Sequence, residues 1–257
     1  MKVSAIMINT FREAVRNKIL YSVVLFAVVL VGISAFFGAV SIGSQEKVIK
    51  DFGLFSLSFF GVIITILSGV SLLNKELKQK TIYNILSKPV DRWQFILGKH
   101  LGLTLTVSLL VGLMGVGLIG FVAFFEGRID LLLFQGIFFV ILEVTLMAAV
   151  AIFFSSLVVT TTLTGIFTLG TYVAGRSIAY LRYFIEAGDG YNPALAKLIG
   201  ILDWVLPDLS LFNVHDVLVD GGSVTGNHAA YAICYCVSYS LVALTLAAII
   251  FERRELN

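Results

Sequence analysis

Six long apolar runs, at residues 20–40, 52–73, 101–125, 131–157, 163–181 and 229–251, leave this chain few ways to fold. Each is close to the ~20 residues that a helix rising about 1.5 Å per residue needs to cross ~30 Å of hydrocarbon. None alternates with a period of two, so they read as helices rather than barrel strands, and a helix satisfies its own backbone in lipid. With 58% hydrophobic and 13% charged residues, the chain has too little polar side chain to cover its apolar surface in water. The expected fold is an all-α polytopic membrane protein with six transmembrane helices. Only the polar turn 159–162 separates the fourth run from the fifth. No linker, low-complexity tract or internal repeat divides the chain, so residues 1–257 form one membrane domain.

Basic residues orient it. With the N-terminus inside, the inner segments hold Lys2, Arg12, Arg16, Lys18, six residues between 74 and 100, Arg253 and Arg254. The opposite side holds Lys47, Lys50, Arg128, Arg176, Arg182 and Lys197, and it carries ten acids against five inside. Positive charge concentrates in short cytoplasmic segments, so both termini are expected in the cytoplasm. The first run is long enough to span and is expected to stay as a helix rather than be cleaved as a leader. Ahead of it, residues 1–19 place Val3, Met7, Phe11, Ala14 and Val15 on one helical face, with Asn9, Arg12, Glu13, Arg16 and Asn17 opposite. An amphipathic helix lying flat at the interface follows. Cys234 and Cys236 point about 200° apart on a helix, which suits packing and neither a shared metal nor a disulfide.

Between the second and third runs lies a compact basic segment, 74–99. It contains Lys75, Lys78, Lys80, Lys88, Arg92 and Lys99, opposed only by Glu76 and Asp91. Ile82, Ile85 and Leu86 recur at helical spacing, Pro89 stops that turn, and Trp93, Ile96 and Leu97 resume an apolar face. A plain basic loop is one reading; a short helix gripped by a soluble partner is the sharper one.

The order Glu76, Thr81-Ile82, Ile85-Leu86, Pro89-Val90, Arg92, Ile96, Gly98-Lys99 resembles the ABC-2 family of ABC transporter permeases. The flat first helix, six spans and basic tail 251–254 fit that family too. Leu206 to Asn213, with Pro207 and Phe212, is similar to an outer-loop motif of its multicopper-enzyme-maturation branch, which serves nitrous oxide reductase. The resemblance implies a type V exporter-like permease fold. It also implies that residues 75–97 form a coupling helix seated on a cytoplasmic ATPase subunit. Glu76, Thr81, Ile82, Ile85, Leu86, Pro89, Arg92 and Trp93 would make that contact. Two permease and two ATPase subunits would form the working unit in a prokaryotic cytoplasmic membrane, as homodimer or heterodimer. No GxxxxGK[ST] motif occurs in the sequence, so ATP and Mg are expected on the partner and no cofactor on this chain. No nucleic-acid role is expected.

Glu143 is the one acid placed deep in a span, with Gln135 and Phe139 on its stripe. A carboxylate there costs ~2.5–3.5 kcal/mol on insertion scales unless paired, protonated or wet. Arg176 is the candidate partner. A bridge fixing the fourth span to the fifth is the first reading, a gating role the second. In the third run, Gly98 and Gly102 form a small-xxx-small pair, read first as packing within the subunit and second as a dimer contact.

The outer segment 182–227 carries an apolar stripe through Leu195, Leu198, Ile199, Ile201, Leu202 and Val205, expected as short helices on or in the outer leaflet. Docking of an extracytoplasmic partner, or a lid over the exit, would suit it. A metal site from His215, Asp216, Asp220 and His228 matches no strong template, and no metal is assigned. Three rival functions are weighed: a mechanochemical ABC complex driving a periplasmic partner; an ATP-independent carrier or channel, for which the chain shows neither repeats nor several midplane charges; and a membrane enzyme or its scaffold, for which no convergent set of polar groups near one interface can be assembled.

Overall fold

The computed structural model describes residues 2–16, 45–78, 91–158, 160–186 and 205–253, with isolated residues between 21 and 33 and at 197, 200 and 202. Among these, the chain forms helices α1 (Lys2–Val15), α2 (Gln45–Lys78), α3 (Arg92–Glu126), α4 (Leu132–Leu157), α5 (Thr161–Glu186), α6 (His215–Val219) and α7 (Gly226–Arg253). A single 3-10 turn, Leu209–Phe212, precedes α6.

Among the described residues, four stretches are long and apolar enough to cross a membrane: Glu46–Val70, Arg92–Phe125, Leu132–Leu157 and Gly226–Arg253. The 26 residues of α5 also suffice in length, but its threonines, glycines and Arg176 keep it less apolar. The expected first span lies mostly outside the described residues; within it, Ala27 and Val31 are buried.

α4 is the hub. A helix apolar on all sides belongs inside a bundle, and sixteen of its 26 residues are buried. α2, α3, α5 and α7 all pack against it. Close approach depends on small residues. The Cβ that Gly69 lacks would sit 2.8 Å from that of Ala151, and one on Gly136 would meet Leu54 at 2.6 Å.

Two helices run past their expected ends. α2 continues to Lys78, and α3 begins at Arg92 rather than 101. The segment 74–99 is therefore not one independent element. Its flanks extend two rigid helices, leaving 79–90 between them. Asp91, with φ −70° and ψ 146°, breaks the helix immediately before Arg92.

Ion pairs and hydrogen bonds fix which helix ends lie together. Lys50, near the start of α2, meets Asp130 in the α3–α4 turn at 2.6 Å, and Lys47 meets Asp220 at 2.7 Å. These define a distal end. At the opposite, basal end, Arg92 at the start of α3 reaches the last carbonyls of α7. There α1 packs along α3, burying Thr10 and Ala14. A Cβ on Gly98 would meet Ile6 at 2.8 Å, and one on Gly102 would meet Thr10 at 2.6 Å. The glycine pair thus seats α1 within the subunit. The face of α1 turned to α3 includes Ile6 and Thr10.

Candidate functional site

Four elements converge on one buried polar cluster. Glu143 sits midway along α4 and is 1% exposed. Its Oε1 accepts from Arg176 Nη1 of α5 at 2.6 Å, and its Oε2 accepts from Ser58 Oγ of α2 at 2.7 Å. Arg176 Nη2 also donates to Asn213 Oδ1, just after the 3-10 turn, at 3.3 Å. Both carboxylate oxygens are engaged, which is what allows a charge to persist where water is scarce. Arg176 is the bridge: its planar fork serves two acceptors on different elements. Sequence reasoning does not single out Ser58 or Asn213. A serine among phenylalanines and an asparagine in a loop carry no periodic signal of the partner they meet.

Gln135 and Phe139, on the same stripe of α4, face the chain leading into α7. Gln135 Oε1 accepts from Val224 N at 3.0 Å, and the Phe139 ring lies 5.7 Å from that of His228.

The segment 205–219 folds into the distal mouth of the bundle. Leu209, Phe212 and Leu218 are at most 2% exposed. Gly175 makes room for it, since any Cβ there would collide with the carbonyl of Pro207. Its polar groups find partners on α7. Asp208 N donates to the Tyr235 hydroxyl at 2.8 Å, the Tyr239 hydroxyl donates to Val205 O at 3.1 Å, and His228 Nε2 lies 3.0 Å from Leu211 O. Asp208 caps the 3-10 turn by accepting from Ser210 N at 3.1 Å. Its apolar side chains are thus buried and several of its backbone groups hydrogen-bonded inside the bundle. Of the stripe 195–205, most lies outside the described residues; Val205 is exposed.

The residues weighed for a metal diverge. His215 is buried, and burial followed by the nearby Arg176 charge pushes its pKa down to about 4. His228 engages a carbonyl and Asp220 pairs with Lys47. Among the described residues, no three His, Cys, Asp or Glu side chains are placed to hold a metal ion.

A charged cleft of about 430 Å³ opens at the distal end, lined by Glu46, Lys47, Lys50, Arg128, Asp130 and Asp220 among others. Burial raises the Asp130 carboxyl, but hydrogen bonds from Lys50 and Leu132 N outweigh it and leave the pKa below its ordinary value.

At the basal end, the residues proposed for partner contact separate. Thr81, Ile82, Ile85, Leu86 and Pro89 lie outside the described residues, and Glu76 falls on the final turns of α2. Trp93 is 55% exposed. Arg92 instead turns inward, donating from Nη1 to Phe251 O at 2.7 Å and to Glu252 O at 2.9 Å. Arg92 therefore has acceptors within its own chain.

α1 packs along α3, and residues 79–90, which link α2 to α3 in the sequence, lie outside the described residues. A family model described as ABC-2 family transporter protein matches residues 4–256. The chain belongs to the ABC-2 family. No individual curated protein matches it. As an ABC-2 member it is a multi-pass membrane component of an ABC transporter, a class of permease that works with ABC ATPase subunits. The match runs from within α1 to beyond the last described residue of α7.

Proposed function

We propose that this ABC-2 protein is the permease subunit of an ATP-driven exporter in a prokaryotic cytoplasmic membrane. Two permease subunits, identical or related, form the pathway. Two separate ATPase subunits bind ATP and Mg and seat on the basal end, which faces the cytoplasm with both termini. Six spans are completed by the first apolar run and α5.

The observation that carries this reading is the family match over 4–256, and the sequence between α2 and α3 contributes the basic residues Lys80 and Lys88. A displacement delivered to a short segment travels along stiff helices on both sides, whereas a long loop would dissipate it. Ile82, Ile85 and Leu86 supply contact area, and Lys80 and Lys88 supply charge complementarity. Glu143 and Arg176 then serve as a gate element: α2, α4, α5 and the distal segment can part only if this cluster rearranges. Glu143→Gln is expected to preserve assembly and alter turnover.

The test is affinity purification of the full chain and of its Ile85→Asp/Leu86→Asp variant. Wild type should bring down a subunit carrying a Walker motif and the variant should lose it. Failure of both to recover an ATPase would remove the transporter assignment.

A further inference from the structure

The first turns of α3 are joined to the last turn of α7 by more than packing. Arg92 Nη1 donates to two carbonyls, Phe251 O and Glu252 O. Both lie in the last described turn of α7. The guanidinium also lies over the Phe251 ring, 5.8 Å from its centre. Phe251 stacks on Phe95 of α3 at 6.0 Å and 18°, and Lys99 Nζ sits 5.6 Å from the Phe95 centroid. Phe251, Phe95 and Lys99 are 1–2% exposed, so this column of rings and cations is interior. On its other side, α3 receives α1 at Gly98 and Gly102. Residue 91 is where the segment 79–90 enters this junction.

We propose that Arg92 is a positioning residue that locks the basal end of α7 to α3, so that a push on 79–90 moves α7 together with α3. The proposal rests on the coupling reading above and extends it to a helix that does not touch the segment in sequence. Without Arg92, the segment would still move α3 while α7 lagged behind. Lysine cannot replace it fully, because an ammonium lacks the planar face that lies over the Phe251 ring.

The experiment uses the full chain with Cys234→Ser and Cys236→Ser, carrying nitroxide labels on Trp93→Cys and Glu252→Cys, in lipid vesicles. In the permease alone, the two labels should show dipolar broadening. Arg92→Ala should lose it, Arg92→Lys should retain part, and Phe251→Leu, which keeps the carbonyl bonds, should retain most. In the assembled complex with single labels, ATP should shift the spectrum at both positions. With Arg92→Ala the shift should persist at 93 and vanish at 252. Unchanged broadening in Arg92→Ala, or an undiminished ATP response at 252 in that variant, overturns the proposal. If no ATPase assembles, the coupling reading fails, and the broadening still decides whether Arg92 holds the two helices.

Discussion

Glu143 and Arg176 show how a single pair can hold three helices and a loop at once. Removing one member of a buried ion pair strands the other, which costs about 3–5 kcal/mol. Arg176→Leu should therefore lower the melting temperature in detergent sharply. The double variant Glu143→Gln/Arg176→Leu should recover most of that loss, because no charge is left unpaired. A double variant as unstable as the single one would mean that Arg176 acts by packing. His215 tests the distal segment by pH. Its folded pKa lies near 4, below the ordinary 6.5, so the unfolded chain takes up the proton first as pH falls. Stability contributed by neutral His215 is full above about pH 6.5 and declines toward pH 4, by at most about 3 kcal/mol. In a melting series across that window, His215→Leu should flatten the slope relative to wild type.

Among the elements, the most constrained contact is that of α5 with the segment 205–212. Gly175→Ala would put a methyl group into the carbonyl of Pro207, which is backbone and cannot rotate away. The change should cost about 1–3 kcal/mol by overpacking and loosen the segment. Limited proteolysis near residue 205 should then run faster than in wild type, whereas Gly112→Ala, which meets nothing within 4 Å, should not alter it. The helices themselves were largely legible: apolar length alone delivers α2, α4 and α7 to within a few residues at most ends. The start of α3 was not, because hydropathy marks where lipid begins, whereas a helix starts where its backbone can be capped and its first residues packed. Arg92 supplies that packing from 159 residues away.

For the whole molecule, orientation is the open physical consequence of the charge bias. Val217 is exposed at the distal end and Trp93 at the basal end. In intact cells lacking Cys234, a membrane-impermeant thiol reagent should label Val217→Cys, and should label Trp93→Cys only after permeabilisation. The reverse pattern would invert the assignment of the ATPase side. By itself the sequence determined that this chain lives in a bilayer as helices, which family pattern it follows, and that Glu143 needs a partner. Those conclusions follow from local quantities: apolar length, residue order and the cost of one charge in hydrocarbon. Only the tertiary structure decided that Ser58 and Asn213 complete the pair, that 205–219 enters the bundle, and that Arg92 faces α7. Each of these depends on which helices become neighbours and how each is rotated, and long-range packing around α4 sets both.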